Sequence, residues 1–261
     1  MKEDIGQILA GWDYIPGELS VREVTGNDGR RMIQVRMDLG LMQLEWSGRP
    51  DGERPNGCES LLHYYQEERR SWQEEHLGEP FVLSRDACWE LSQEAMKYYW
   101  RRVSFFELKE YGLAEEDALH NLAILDLCHE FAEGEEDRQM AEQHRSFVTA
   151  HRFQARALVR LDQQDYDGTL KEIRAGIREI EGFFEDLGYF DQLEECPELH
   201  FLREWEEEVE STRPLTLKEQ LHADLKVAVE QEKFELAASL RDRLRKLERE
   251  QVLKSTGGER D

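Results

Sequence analysis

Apolar and polar residues alternate with a period of two near the start of the chain and recur at three and four from about Glu59 onward. Leu19-Ser-Val-Arg-Glu-Val-Thr25 and Met32-Ile-Gln-Val-Arg-Met37 both alternate, and Gly26-Asn-Asp-Gly29 between them has turn chemistry. Together they predict a β-hairpin. Leu39 to Trp46 alternates less cleanly and fits a third strand; three strands with one apolar face are stable once a helix covers them. Gly48 to Gly57 follows, with two copies of Arg-Pro-(Asp/Asn)-Gly, each of which specifies a tight turn. Two readings are open for this loop: a small binding loop with Arg49 and Arg54 exposed, or a plain connector, which is favoured.

The helical period then continues nearly to the end of the chain. Glu59–Glu75 carries Leu61, Leu62, Tyr65 and Trp72. Ser84 has the chemistry of an N-cap, with Asp86 in the first turn of a helix running to about Tyr111 and stopped by Gly112. Its aromatics, Trp89 to Phe106, are read as core rather than a cofactor box. Leu113 to Phe131 forms the next helix, with Gly134 as its stop signal. Further helices are expected at about Glu136–Gln163, Tyr166–Leu187 and Pro197–Glu210. Ser211-Thr-Arg-Pro214 is a proline-ended boundary. The fold class is therefore mainly α, a helical bundle or array with a small N-terminal β-hairpin or sheet and a terminal two-helix hairpin. The expected division is a β-containing region at 1–57, an acidic helical domain at 58–210, a linker at 211–216, the hairpin at 217–253 and a disordered tail at 254–261.

The terminal hairpin is the most specific feature. Leu217, Leu221, Leu225 and Ala228 recur on one face of its first helix. Phe234, Ala237, Ala238, Leu240, Leu244 and Leu247 do so on the second, and the stripe breaks at Gln231-Glu232-Lys233, where the turn belongs. One hairpin is not expected to bury both stripes within itself, so a stripe is left for a partner. The second helix reads Phe234-Glu235, Ala237-Ala238, Arg241-Asp242, Leu244, Leu247. This resembles the UVR motif found in the excinuclease subunits UvrB and UvrC, in Clp ATPases of the ClpC type and in their McsA-type activators. The resemblance implies a helical hairpin that pairs with another hairpin or with a protein surface. The residues it would use are Leu221, Leu225, Phe234, Glu235, Ala238, Leu240, Arg241, Asp242, Leu244 and Leu247. The machinery of those hosts is not visible: there is no Gly-x-x-x-x-Gly-Lys-(Ser/Thr) loop, no Gly-Ile-Tyr…Tyr-Ile-Gly nuclease segment and no Cys-x-x-Cys pair.

A weaker likeness lies in the middle of the chain. Phe153, Ala157 and Leu161, then Gln164-Asp165-Tyr166, then Leu170, Ile173, Gly176 and Ile177 are similar to one tetratricopeptide helix pair, with Arg160 and Thr169 departing from that pattern. One copy needs other helices against it.

Charge narrows the function classes. The chain of 261 residues has a net charge of −24, and residues 1–214 hold all of it, with 24 basic and 48 acidic residues against ten of each in 215–261. An acidic body repels phosphate backbones, which argues against direct nucleic-acid binding by it. The basic run Arg241 to Lys246 is read as a solvated face. Isolated cysteines at 58, 88, 128 and 196, no long apolar run and no apolar signal core in the first residues point to a bacterial cytoplasmic protein. Asp117 with His120 and Asp126 with His129 stand three apart, and His144 and His151 could share a face; in so acidic a chain such pairings arise by chance. No nucleophile motif is present. No catalytic residue, metal or cofactor is therefore assigned.

The expectation is a non-enzymatic adaptor or regulator acting through the hairpin, linked to excision repair or Clp-type proteolysis, or pairing with itself as a homodimer. The alternative is a ligand- or metal-binding helical enzyme of unfamiliar type whose hairpin serves as a dimer interface.

Overall fold

The computed structural model describes residues 4–256, with Ala141, Gln192 and 248–256 described as backbone only. The elements, in chain order, are α1 (Gly6–Leu9), β1 (Val21–Thr25), β2 (Arg31–Met37), β3 (Gly40–Glu45), α2 (Leu61–Glu75), α3 (Arg85–Glu107), α4 (Tyr111–Phe131), α5 (Glu135–Glu142), α6 (Arg145–Asp162), α7 (Tyr166–Leu187), α8 (Pro197–Thr212), α9 (Leu217–Glu230) and α10 (Phe234–Thr256). The fold is mainly α with a small N-terminal antiparallel sheet and two helices at the end, the class that the periodicities predict. Among the described residues, 4–210 and 211–256 form two compact units, and residues 257–261 of the expected tail lie outside the described residues.

In the first unit β2 lies between β1 and β3, both antiparallel to it. Ile33 faces Leu44 and Val35 faces Met42 across the ladder, so alternation puts them on one side. That side packs on Phe105, Ala114 and Ala155, from α3, α4 and α6. The polar side is tied by Arg22, which donates to Gln34 Oε1 from Nε and Nη2, and by Gln34, which donates to Gln43.

Two acidic side chains hold the sheet and loop to the helices. Glu94 on α3 is fully buried. It accepts from Leu61 N at 2.8 Å and Leu62 N at 3.1 Å, satisfying free N–H groups at the start of α2. It also accepts from Arg49 Nε at 2.9 Å and His120 Nε2 at 3.1 Å. Burial pushes its pKa up, yet the bonds from His120, Leu61 and Leu62 hold the carboxyl below the ordinary range. Asp117 on α4 takes two bonds from Arg101, at 2.9 and 2.7 Å, and Arg101 donates in turn to the carbonyls of Glu45 and Gly48. Arg49 is therefore buried, not exposed, because its guanidinium is held by Glu94 and Asp51; Arg54 remains exposed.

Two helix boundaries also differ from the sequence reading. The α3 helix ends at Glu107, with Lys109 in the left-handed region (φ 60°) and Glu110 N reaching back to Phe105 O at 2.9 Å. This is a Schellman-type stop made with lysine, and Gly112 lies inside the first turn of α4 instead of ending α3. The helix expected over Glu136–Gln163 is two helices, α5 and α6, broken at Gln143-His144. The first packs on α3 and α4 and the second on α4 and α7, directions one straight helix cannot serve.

The α6–α7 pair forms the hairpin that the weaker likeness predicts. Gln164 takes the left-handed turn position, and Asp165 caps α7 by accepting from Gly168 N at 2.9 Å. Leu170, Ile173, Ile177 and Ile180 face Leu199 and Leu202 of α8 in one core. Thr169 is buried and donates its hydroxyl to Asp165 O at 2.8 Å, so the departure at that position is satisfied locally.

Candidate functional site

The second unit is built by local signals. Thr216 caps α9: its hydroxyl accepts from Glu219 N at 3.2 Å, and the Glu219 carboxylate accepts from Thr216 N at 2.8 Å, a capping box. Arg213 adds two bonds to the same carboxylate, at 2.9 and 2.5 Å. With Arg213 the largest cause and the Thr216 bonds next, the Glu219 pKa is held down to about 2. Between the helices Lys233 N donates to Ala228 O at 2.8 Å and Glu232 N to Val229 O at 3.0 Å, with Glu232 at φ 54°. That is a Schellman turn carrying glutamate where glycine is usual.

The two stripes close on each other. Leu221, Ala228, Ala237, Leu240 and Leu244 are buried in one cluster with Leu225 partly buried against it. This corrects the expectation that a stripe is left over. Two small alanines and three leucines share that cluster, so the seam is satisfied inside the hairpin. Of the ten residues proposed for partner contact, Leu221, Leu240 and Leu244 thus serve the hairpin's own packing, and Leu225 and Leu247 lie at its margin.

The other five residues are exposed: Phe234, Glu235, Ala238, Arg241 and Asp242. Phe234 is 69% exposed, large for an aromatic ring. Phe234, Ala238 and Arg241 stand at i, i+4 and i+7, which places them on one face of α10, about a quarter turn from the seam. Arg241 is loosely paired with Asp242 at 3.8 Å, and both are mostly exposed. Val229, about half exposed at the end of α9, lies on the same flank of the hairpin by helical geometry. The result is a small apolar patch with a guanidinium at its side, the residue types that anchor protein contacts.

The histidine pairs separate. Asp117 goes to Arg101 and His120 to Glu94, while Asp126 pairs with Arg145 at 2.7 Å and His129 with Glu142 at 3.1 Å. Among the described residues no three His, Cys, Asp or Glu side chains converge as metal ligands. No described helix is long and apolar enough to cross a membrane.

Residues 216–250 match the UvrB/uvrC motif. The UVR match covers the Thr216 cap, all of α9 and α10 as far as residue 250, so the resemblance read from Phe234 to Leu247 holds. It supports a protein-contact role for this segment in general and leaves the first unit uncharacterised. No curated protein and no solved structure matches the chain.

The first unit contains a concave feature that sequence reasoning missed. A cavity of about 520 Å³ lies between α3, α4, α5 and the start of α6. Of the α3 aromatics that the sequence reads as core, Tyr98 and Phe105 are buried, whereas Trp89 and Tyr99 line this space, with Arg102 and Asn121 also on its wall. No spacing or composition signal marks an arginine three residues from Tyr99 as different from its neighbour Arg101.

Proposed function

We propose that the protein is a non-enzymatic adaptor or regulator of the bacterial cytoplasm, and that its UVR hairpin binds another polypeptide through the face of Phe234, Ala238 and Arg241. One observation carries this reading: Phe234 is exposed although the hairpin's own seam is complete without it. A phenylalanine that is mostly exposed beside an arginine lies outside the buried seam and supplies the aromatic anchor that an interface desolvates. The partner classes are those in which the motif is known, a UVR-bearing excision-repair subunit or a Clp ATPase.

The test uses the full chain. Purified wild-type protein is titrated with a UVR-bearing repair subunit and with a Clp ATPase of the ClpC type, and its mass is measured by light scattering. Phe234→Ala with Arg241→Glu should weaken the productive contact by about thirtyfold or more while helicity is retained. Capture of either partner, lost in the variant, supports the adaptor reading. A homodimer dissolved by the same variant, without either partner, replaces it with self-association. A monomer that binds neither partner overturns it.

A further inference from the structure

The cavity in the first unit has a buried arginine among its lining residues. Arg102 is 1% exposed and lies on the cavity wall. Its Nε donates to His151 Nδ1 at 3.2 Å, and its Nη1 has no hydrogen-bond partner. Among the described residues it makes no ion pair. Asp117 is the carboxylate whose charge acts on it, but both Asp117 oxygens are taken by Arg101. His151 offers only a neutral lone pair, because burial, and then the Arg102 charge, push its pKa down to about 3. Tyr99 and Phe147 stand 5.6 and 5.8 Å from the guanidinium carbon; their rings attract the charge but give it no acceptor atom.

A buried arginine without a counter-ion is costly. The same cavity holds a second unmet group. Asn121, 4% exposed, donates through Nδ2 to Ala95 O at 3.1 Å, while its Oδ1 is buried without a partner. The rest of the wall is mainly apolar, with Met96, Ile124, Leu125 and Val148 among its residues, and it also carries Ser92, Gln93, His144 and Arg85, the last facing Asp137 at 4.0 Å. A concave apolar space with a few convergent polar groups is the usual form of a small-molecule site, and guanidinium is matched to carboxylate.

The charge of the whole chain selects among anions. A net charge of −24 opposes a polyanion entering the body, so one negative charge is favoured over several. We propose that this cavity binds a small apolar monocarboxylate, its carboxylate on Arg102 and its hydrocarbon or aryl part against Met96, Ile124 and Leu125. The site is independent of the hairpin and of the contact proposed for it.

Calorimetric titration of the full chain with decanoate and with 3-phenylpropionate tests this, with decanol and 3-phenylpropanol as neutral counterparts of the same shape. At least one carboxylate should bind about tenfold or more tightly than its alcohol, as a charge-assisted bond to a buried guanidinium requires. Arg102→Met, which keeps the length and removes the charge, should abolish that preference; its folding is checked by circular dichroism, and it should not lower the melting temperature because it removes an unpaired buried charge. Leu125→Trp leaves Arg102 intact and fills the space, so it should block acid and alcohol alike. Alcohols binding as well as the acids, an unchanged preference in Arg102→Met, or no binding of any of the four probes to folded wild-type protein overturns the proposal.

Discussion

The two compact units of this chain are stabilised on different length scales. In residues 4–210 the decisive contacts join positions far apart in sequence: Glu94 ties the start of α2, the loop at Arg49 and His120 of α4, and Arg101 joins α4 to the end of the sheet. In the hairpin nearly every specific contact is local. A capping box spans Thr216 to Glu219, a turn spans Ala228 to Lys233, and the core is five buried side chains. Long-range networks make a unit that fails all at once when one buried charge is removed. Local devices make a unit whose stability changes in small steps, and which exposes Phe234 without loss.

The largest effect should come from Glu94. Glu94→Ala leaves Arg49 buried beside weaker partners and strips two N–H groups of α2, which should cost about 3–5 kcal/mol. Urea unfolding followed by the tryptophans of the first unit measures it, and hydrogen exchange at α9 and α10 reports the hairpin separately. Loss of hairpin protection in parallel would break the contrast between the units. The sign of the pH dependence follows from the lowered folded pKa. The stability that Glu94 adds is present above its unfolded value, 4.5, and is lost as pH falls through the folded value. The difference between wild type and Glu94→Gln should therefore shrink below about pH 4.5 and stay level above it.

Next comes Gly176 in the α6–α7 pair. A Cβ there would meet Phe153 Cβ at 2.8 Å and its Cγ at 3.0 Å. Gly176→Ala gains helix propensity but forces the two helices apart, with a net loss of about 1–3 kcal/mol. An unchanged melting temperature would mean that the pair yields more easily than its packing indicates. The sequence reading includes Gly176 in the tetratricopeptide-like pattern, but the close approach to Phe153 depends on the packing of α6 on α7.

What the sequence revealed and what it concealed divide along the same length scales. The hairpin turn at Gln231-Glu232-Lys233, the Ser84 cap and the strand–turn–strand at the start of the sheet all depend on neighbours within a few residues, and periodicity with turn chemistry finds them. The burial of Arg49 is not legible because its partner, Glu94, is 45 residues away, so both the binding-loop and the connector readings stay open from sequence. The end of α3 was missed because lysine, not glycine, holds the left-handed position at 109. The seam was misjudged for a subtler reason. Spacing shows that two stripes exist but not their phase, and only the phase decides that Leu221, Leu240 and Leu244 meet each other while Phe234 is left out. The cavity was invisible because Arg101 and Arg102 look alike in sequence and differ in distant partners: Asp117, Glu45 and Gly48 engage Arg101, and His151 engages Arg102.

A smaller effect is expected at the α9 cap. Thr216→Ala removes the hydroxyl that accepts from Glu219 N and opens the capping box, with a cost to the hairpin of about 1 kcal/mol. Exchange protection in α9 should fall while the unfolding of the first unit is unchanged. An equal drop in both units would show that the cap is not a local device.

The smallest change should stabilise. Glu232 holds φ 54° at the Schellman turn, a conformation in which its Cβ crowds the following carbonyl and glycine does not. Glycine also has more freedom to lose from the unfolded chain, which offsets part of the gain, so Glu232→Gly should raise hairpin stability by about 0.5–1 kcal/mol. The hydrogen bond from Lys233 N to Ala228 O would be retained, and slower amide exchange across α9 and α10 is the measurement. Glu232 is exposed and lies outside the buried seam, so binding through Phe234 and Arg241 should be unchanged. Weaker partner binding in a more stable hairpin would mean that the glutamate belongs to the contact surface, and that its strained backbone is maintained for function.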